Sequence, residues 1–156
     1  MFGKSVAQYL SFQKAVLALI VLAWAVRLAL SLAGVPNASA KWVSVTVVLL
    51  IGVLYYGVAV HTKGFGSYKQ LYPLMLFQSI LGEGLVALAI VLAILTSRDN
   101  IYTAPEYSGG GDGKNWGHVG AHLLVAFVIL PLLSWGIGSL VMLVTRKVAP
   151  RRLEGS

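Results

Sequence analysis

Four side chains that could do chemistry stand inside, or at the edge of, long apolar stretches: Arg27, Glu83, His118 and His122. Glu83 is the sole charge in PLMLFQSILGEGLVALAIVLAIL (73–95), where Gly82 and Gly84 flank it. A carboxylate within hydrocarbon costs at least about 2–3 kcal/mol, so it must face protein or water and marks a site before it marks anything else. Arg27 lies inside the first apolar run, about 13 residues or ~20 Å from its start. Its side chain leans back toward the helix N-terminus, which makes an Arg27–Glu83 pair geometrically reachable. Such a pair is either an internal polar centre that binds or gates something charged, or a buried ion pair that fixes helix register. A third state, Glu83 protonated and unpaired, suits proton coupling, because desolvation favours the neutral acid. Gln78 and one of Tyr55 and Tyr56 are the polar neighbours expected to assist.

His118 and His122 follow Asn115 at i, i+3 and i+7, one stripe of a helix. Histidines at i and i+4 can share a divalent metal, and zinc would want further ligands. Asp112, Glu106 and Asp99 on the preceding loop are the candidates, Asp112 first. No glutamate follows the first histidine, so the pattern is not that of a zinc protease. Bis-histidine haem needs histidines on different helices at one level. The third histidine, His61, belongs to the opposite face, so haem would require an intermolecular site.

The elements that must position these groups are helices in lipid. Of 156 residues, 58% are apolar and the mean hydropathy is +0.81, above what a water-soluble domain carries. Four runs, about 15–35, 42–60, 73–95 and 116–144, are each long enough to cross ~30 Å of hydrocarbon. The fold expected is an all-α integral membrane protein, a four-transmembrane-helix bundle forming one domain over 1–152. The terminal LEGS (153–156) reads as vector-derived sequence. There are no cysteines, which excludes thiol and disulfide chemistry. The net charge of +7 flanks the spans and forms no stripe, so it speaks for the positive-inside rule and against nucleic acid. Lys4, Lys14, Lys63, Lys69, Arg146, Lys147, Arg151 and Arg152 fall on one side, against Lys41, Arg98 and Lys114 on the other. That asymmetry places both termini in the cytoplasm, as in a bacterial inner (plasma) membrane protein.

Along the chain, residues 1–14 are too polar to open a signal peptide and read as a short interfacial helix. GVPN (34–37) is a turn, and NAS (37–39) fits a glycosylation acceptor by a weak three-residue match. The second span is rich in β-branched residues yet must be helical, because lipid offers its backbone no other partner. Gly52, Gly57, Gly82, Gly84, Gly136 and Gly138 are positions for close helix contact. The connection HTKGFGSYKQLY is basic and aromatic, suited to an anionic leaflet. The long segment 96–115 reads as a flexible outer loop, with Tyr102 and Tyr107 dipping to the interface; its SGGGDGK lacks phosphate-loop spacing. Pro131 should bend the fourth helix by freeing the carbonyl of Phe127.

Length and span number are similar to the small multidrug transporters, but those carry their essential carboxylate in the first span. Here the first span holds Arg27 and the acid is in the third, so that resemblance assigns no family. The leading expectation is transport or conduction of an ion or small solute at Glu83/Arg27, in a homo-oligomer, since four helices enclose little space. The alternatives are a metal-binding membrane protein or metalloenzyme at His118/His122, and an accessory or scaffold subunit. No nucleophile–base pair or nucleotide fingerprint speaks for catalysis.

Overall fold

The computed structural model describes residues 1–149; Arg151, Arg152 and the terminal 153–156 lie outside the described residues. Every regular element among the described residues is helical, and four rods are long and apolar enough to cross a membrane. In order they are α1 (Val6–Leu32), a single turn α2 (Asn37–Ala40) leading into α3 (Val45–Thr62), α4 (Tyr68–Thr96), and a rod made of α5 (Trp116–Leu124), a π-helical turn (Val125–Ile129) and α6 (Leu130–Val148).

Side-chain caps set the starts. Ser5 and Gln8 form a reciprocal capping box, Gln8 N–H to Ser5 Oγ at 3.2 Å and Ser5 N–H to Gln8 Oε1 at 2.8 Å, which satisfies two orphan donors of α1. The N-terminal residues from Val6 are therefore the first turns of α1 and not a separate interfacial helix. Tyr9 and Gln13 in those turns are fully buried. Ser67 and Gln70 start α4 in the same way, ahead of Pro73. Proline there removes one helical hydrogen bond close to the helix end, where the loss is tolerated. Ahead of Pro131 the expected bend takes the form of the π turn. Leu130 N–H donates to the Val125 carbonyl five residues back, and the wider turn makes room for the proline ring.

α4 is the central rod, packed on α1, α3, α5 and α6. α3 and α6 approach through Gly57 and Gly138: a Cβ on Gly57 would stand 2.8 Å from Val141 Cβ and 2.9 Å from the Gly138 carbonyl. Gly84 and Gly136 face open space instead. One apolar core, around Ile20, Tyr56, Leu74 and Met142, lies toward the termini; a second, around Ala40, Val86, Ile90 and Ile101, lies toward the connections 33–44 and 97–115. Outward positions are as apolar as inward ones, with Leu22, Leu50 and Leu133 more than half exposed, as on a surface that meets lipid.

Candidate functional site

The 97–115 connection is only partly a loop on the surface. Asn100 reaches back to the Ala89 carbonyl of α4 with Nδ2 at 2.9 Å, and its Oδ1 accepts from Tyr102 N–H at 2.9 Å. Thr103 Oγ1 donates to the Asn100 carbonyl and accepts from Asn100 N–H, while Ile101 N–H donates to Ser31 Oγ of α1 at 2.8 Å. Residues 100–103 are buried as a result, contrary to the flexible loop expected. Asn37 Nδ2 donates to Glu106 at 2.9 Å and closes the outer part; that bond holds the Glu106 carboxyl below its ordinary range.

This folded connection supplies the partners of Arg27. The guanidinium carbon lies 5.2 Å from the Tyr102 ring centre and 5.4 Å from that of Tyr107, within cation–π range. No ion pair holds Arg27 among the described residues, so it is not bonded to Glu83. The two line a common cavity of about 460 Å³ together with Lys41, Trp42, Tyr102 and His122.

Glu83 is held by histidine. Its Oε2 is 2.6 Å from His122 Nδ1, His122 Nε2 is 3.2 Å from His118 Nε2, and His118 Nδ1 is 2.9 Å from the Gly113 carbonyl. Helix α5 makes this possible: Asn115 caps it by accepting from His118 N–H at 2.8 Å, and the i, i+4 spacing stacks the two rings one above the other. The rods do not end at one plane. They are staggered. Leu71 packs on Gly138, and Trp135 Nε1 donates to the Tyr68 carbonyl at 2.8 Å. The ten residues of α6 after Gly138 therefore run on past the level of Leu71 by about 15 Å, which brings His122 to within about a turn of Glu83 and into contact with it.

If all three contacts are hydrogen bonds, a proton count follows. The Gly113 carbonyl can only accept, so His118 Nδ1 carries a proton. A neutral imidazole has one N–H, and three bonds in line need three protons. Two neutral histidines supply two; the third sits on Glu83 or makes one ring an imidazolium. With all three contacts hydrogen-bonded, either arrangement of the protons leaves the set without net charge.

The other expected site residues are elsewhere. Gln78 Nε2 donates to Gln13 Oε1 at 3.1 Å in a separate buried pair; Gln13 is a polar core residue that the sequence reading passed over. Tyr56 is buried and donates to the Phe12 carbonyl at 3.3 Å, while exposed Tyr55 accepts from Lys63 at 2.7 Å, and neither lines the cavity. Asp112 accepts from Lys114 N–H at 2.9 Å within its own turn, and Asp99 pairs with Lys114 at 2.8 Å; the Asp99 carboxylate raises the ammonium's pKa. Among the described residues no three His, Cys, Asp or Glu converge to hold a metal. His118 and His122 alone could offer two nitrogens to one. His61, at the terminal end, has Nε2 3.1 Å from the Ala149 carbonyl. The site residues missed were Lys41, Trp42 and Gly113, together with Tyr102 and Tyr107 in their role against Arg27; the N-x-x-T spacing of Asn100 and Thr103 was the available signal that the loop folds back. No family, curated protein or solved structure matches the chain.

Proposed function

We propose that the protein carries a small solute across a membrane in exchange with, or together with, a proton held by Glu83, His122 and His118. The observation that carries this reading is the line of three hydrogen bonds from Glu83 to Gly113, with Glu83 and His122 on the wall of the cavity. Intramembrane ionisable groups of this kind mark pathways. Loss of the third proton leaves the set with one negative charge. The charged and titratable groups facing it are Arg27 from α1, Lys41 ahead of α3, and Tyr102 and Tyr107 from the folded connection; α3 and α6 add none to the cavity wall. Deprotonation would therefore strengthen the pull of Glu83 on Arg27 and alter what the cavity accepts. The test is solute uptake driven by a pH gradient in proteoliposomes. Glu83→Gln should abolish it, and wild-type-like flux in that variant would defeat the proposal.

A second reading, metal binding, is favoured by one distance. The 3.2 Å between the Nε2 atoms is close to the span of two nitrogens on one tetrahedral zinc with arms of about 2.0–2.1 Å. Glu83 and the Gly113 carbonyl would then orient the rings from behind, and two coordination positions would remain for water or solute. It requires about one metal per chain after gentle purification, lost in His122→Ala; metal-free protein with full flux removes it.

A further inference from the structure

We infer that the cavity between Arg27, Tyr102 and Glu83 is a binding site for a small monocarboxylate with an apolar or aromatic body. The inference rests on the transport reading only in taking this cavity for the solute site. Its first support does not involve the histidines. Arg27 Nε and Tyr102 Oη are both buried, both without a hydrogen-bond partner, and both side chains line the cavity. Buried donors are nearly always paired in native proteins, so two orphaned atoms on side chains that line one cavity point to an acceptor that arrives from outside and reaches them by a small side-chain shift. Burial raises the Tyr102 phenol to about 12 against the opposing effect of Arg27, so the hydroxyl stays a donor at neutral pH.

Charge selects the class. Arg27 is the one cation held within the wall; Lys41 is exposed, 5.6 Å over Trp42, and stands at the rim where it can attract but not enclose. Glu83 is bonded to His122 and no ion pair holds Arg27 among the described residues, so this inner cation asks for one negative charge. A guanidinium prefers a planar carboxylate, whose two oxygens match its fork of donors. The Tyr102 and Tyr107 rings lie 5.2 and 5.4 Å from the guanidinium carbon and limit its freedom to move. Shape selects the body: Val45, Val47, Val86 and Ile101 give the lining an apolar side, with the hydroxyls of Ser44 and Thr46 beside them, and about 460 Å³ is the size of a small-molecule site. A phosphodiester from a lipid headgroup carries the same single charge, and the test separates the two sources.

The experiment is calorimetric titration of the full chain in phosphatidylcholine nanodiscs with benzoate, and with benzamide as its uncharged isostere. Benzoate should saturate one site, with benzamide at least about tenfold weaker, as loss of a charge-assisted bond implies. Arg27→Gln should weaken benzoate by about tenfold or more, Arg27→Lys should restore part of it, and Tyr102→Phe should cost several-fold. Equal binding of benzoate and benzamide by the wild-type chain overturns the inference without relying on any variant. So does unchanged benzoate affinity in Arg27→Gln. Loss of benzoate binding in phosphatidylglycerol-rich discs would reassign the site to a lipid phosphate. Absent benzoate binding with intact proton-driven flux removes the carboxylate alone; intact binding with no flux removes the transport reading alone.

Discussion

Gln78 and Glu83 stand five residues apart on α4, and each meets a polar side chain from another helix, yet they are opposite solutions to the same problem. The Gln78–Gln13 pair is sealed: both residues are buried, Gln78 Oε1 and Gln13 Nε2 are left without partners, and Gly52 closes over the amide. A neutral amide can be enclosed this way, because an unmatched atom costs about 1–3 kcal/mol. A carboxylate cannot be enclosed unpaired, since its desolvation is far larger. Glu83 accordingly has a histidine at 2.6 Å, a second histidine behind it and a cavity in front. One pair is closed within the helix packing; the other joins ionisable groups beside a cavity. Polarity inside a bundle is thus not itself a sign of function. What distinguishes the second cluster is its ionisable members and its access to space.

The comparison can be broken at several points. The largest effect should come from Glu83→Gln, with proton-driven uptake reduced by about 100-fold or more, the range for removal of a positioned acid–base group. Gln78→Leu should leave uptake within about threefold of wild type, as expected for a residue outside the acid–base line; a collapse there would mean that the amide pair belongs to the pathway. His118→Ala shortens the line by one member and should cost about 10- to 100-fold in the same assay. Stability responds to the other pair. A methyl group on Gly52 would overlap Gln78 Oε1, so Gly52→Ala should destabilise the fold by about 1–3 kcal/mol. Most of that loss should vanish in a Gln78→Ala background, read from unfolding in mixed micelles.

The smallest effects are titrations of the folded connection. The Tyr102 phenol is raised from 10.0 to about 12, so its contribution is fully present below pH 10.0 and is lost as pH rises through about 12. Unfolding stability in mixed micelles should fall across that window and not below it, and Tyr102→Phe should remove the fall. Glu106 has the opposite sign: its lowered pKa makes the clasp to Asn37 outlast the ordinary glutamate range on acidification, then loosen as pH falls through the folded value. Asn37→Ala should abolish that acid dependence.

The four rods were legible because crossing lipid demands unbroken apolar length, and Glu83, Arg27, His118 and His122 stood out against that background. Their partners were harder to read. Depth counted from the ends of apolar runs assumed flush helices and began α4 at Pro73, because the Ser67–Gln70 cap was not recognised as a start. The stagger of α6 past α4 is a property of packing, set by Leu71 on Gly138 and Trp135 on Tyr68, and apolar periodicity carries no record of it. That stagger is what brings His122 to the acid in place of Arg27. The loop was misread for a related reason. Polar composition suggested solvent, while Asn100 and Thr103 use their polarity to satisfy backbone groups and bury Ile101 and Tyr102 between helices. Gln13 was lost in an N-terminal segment treated as interfacial.

The central claim is that Glu83, His122 and His118 share three protons in a line, and nitrogen NMR of histidine-labelled protein in bilayers reads this most directly. Both Nδ1 atoms should carry hydrogen-bonded protons or exchange them with Glu83, and a proton should lie between the two Nε2 atoms. Replacing Glu83 with Gln should shift the His118 signals as well as those of His122. Two histidines with independent, ordinary neutral spectra that do not respond to Glu83→Gln would contradict the account.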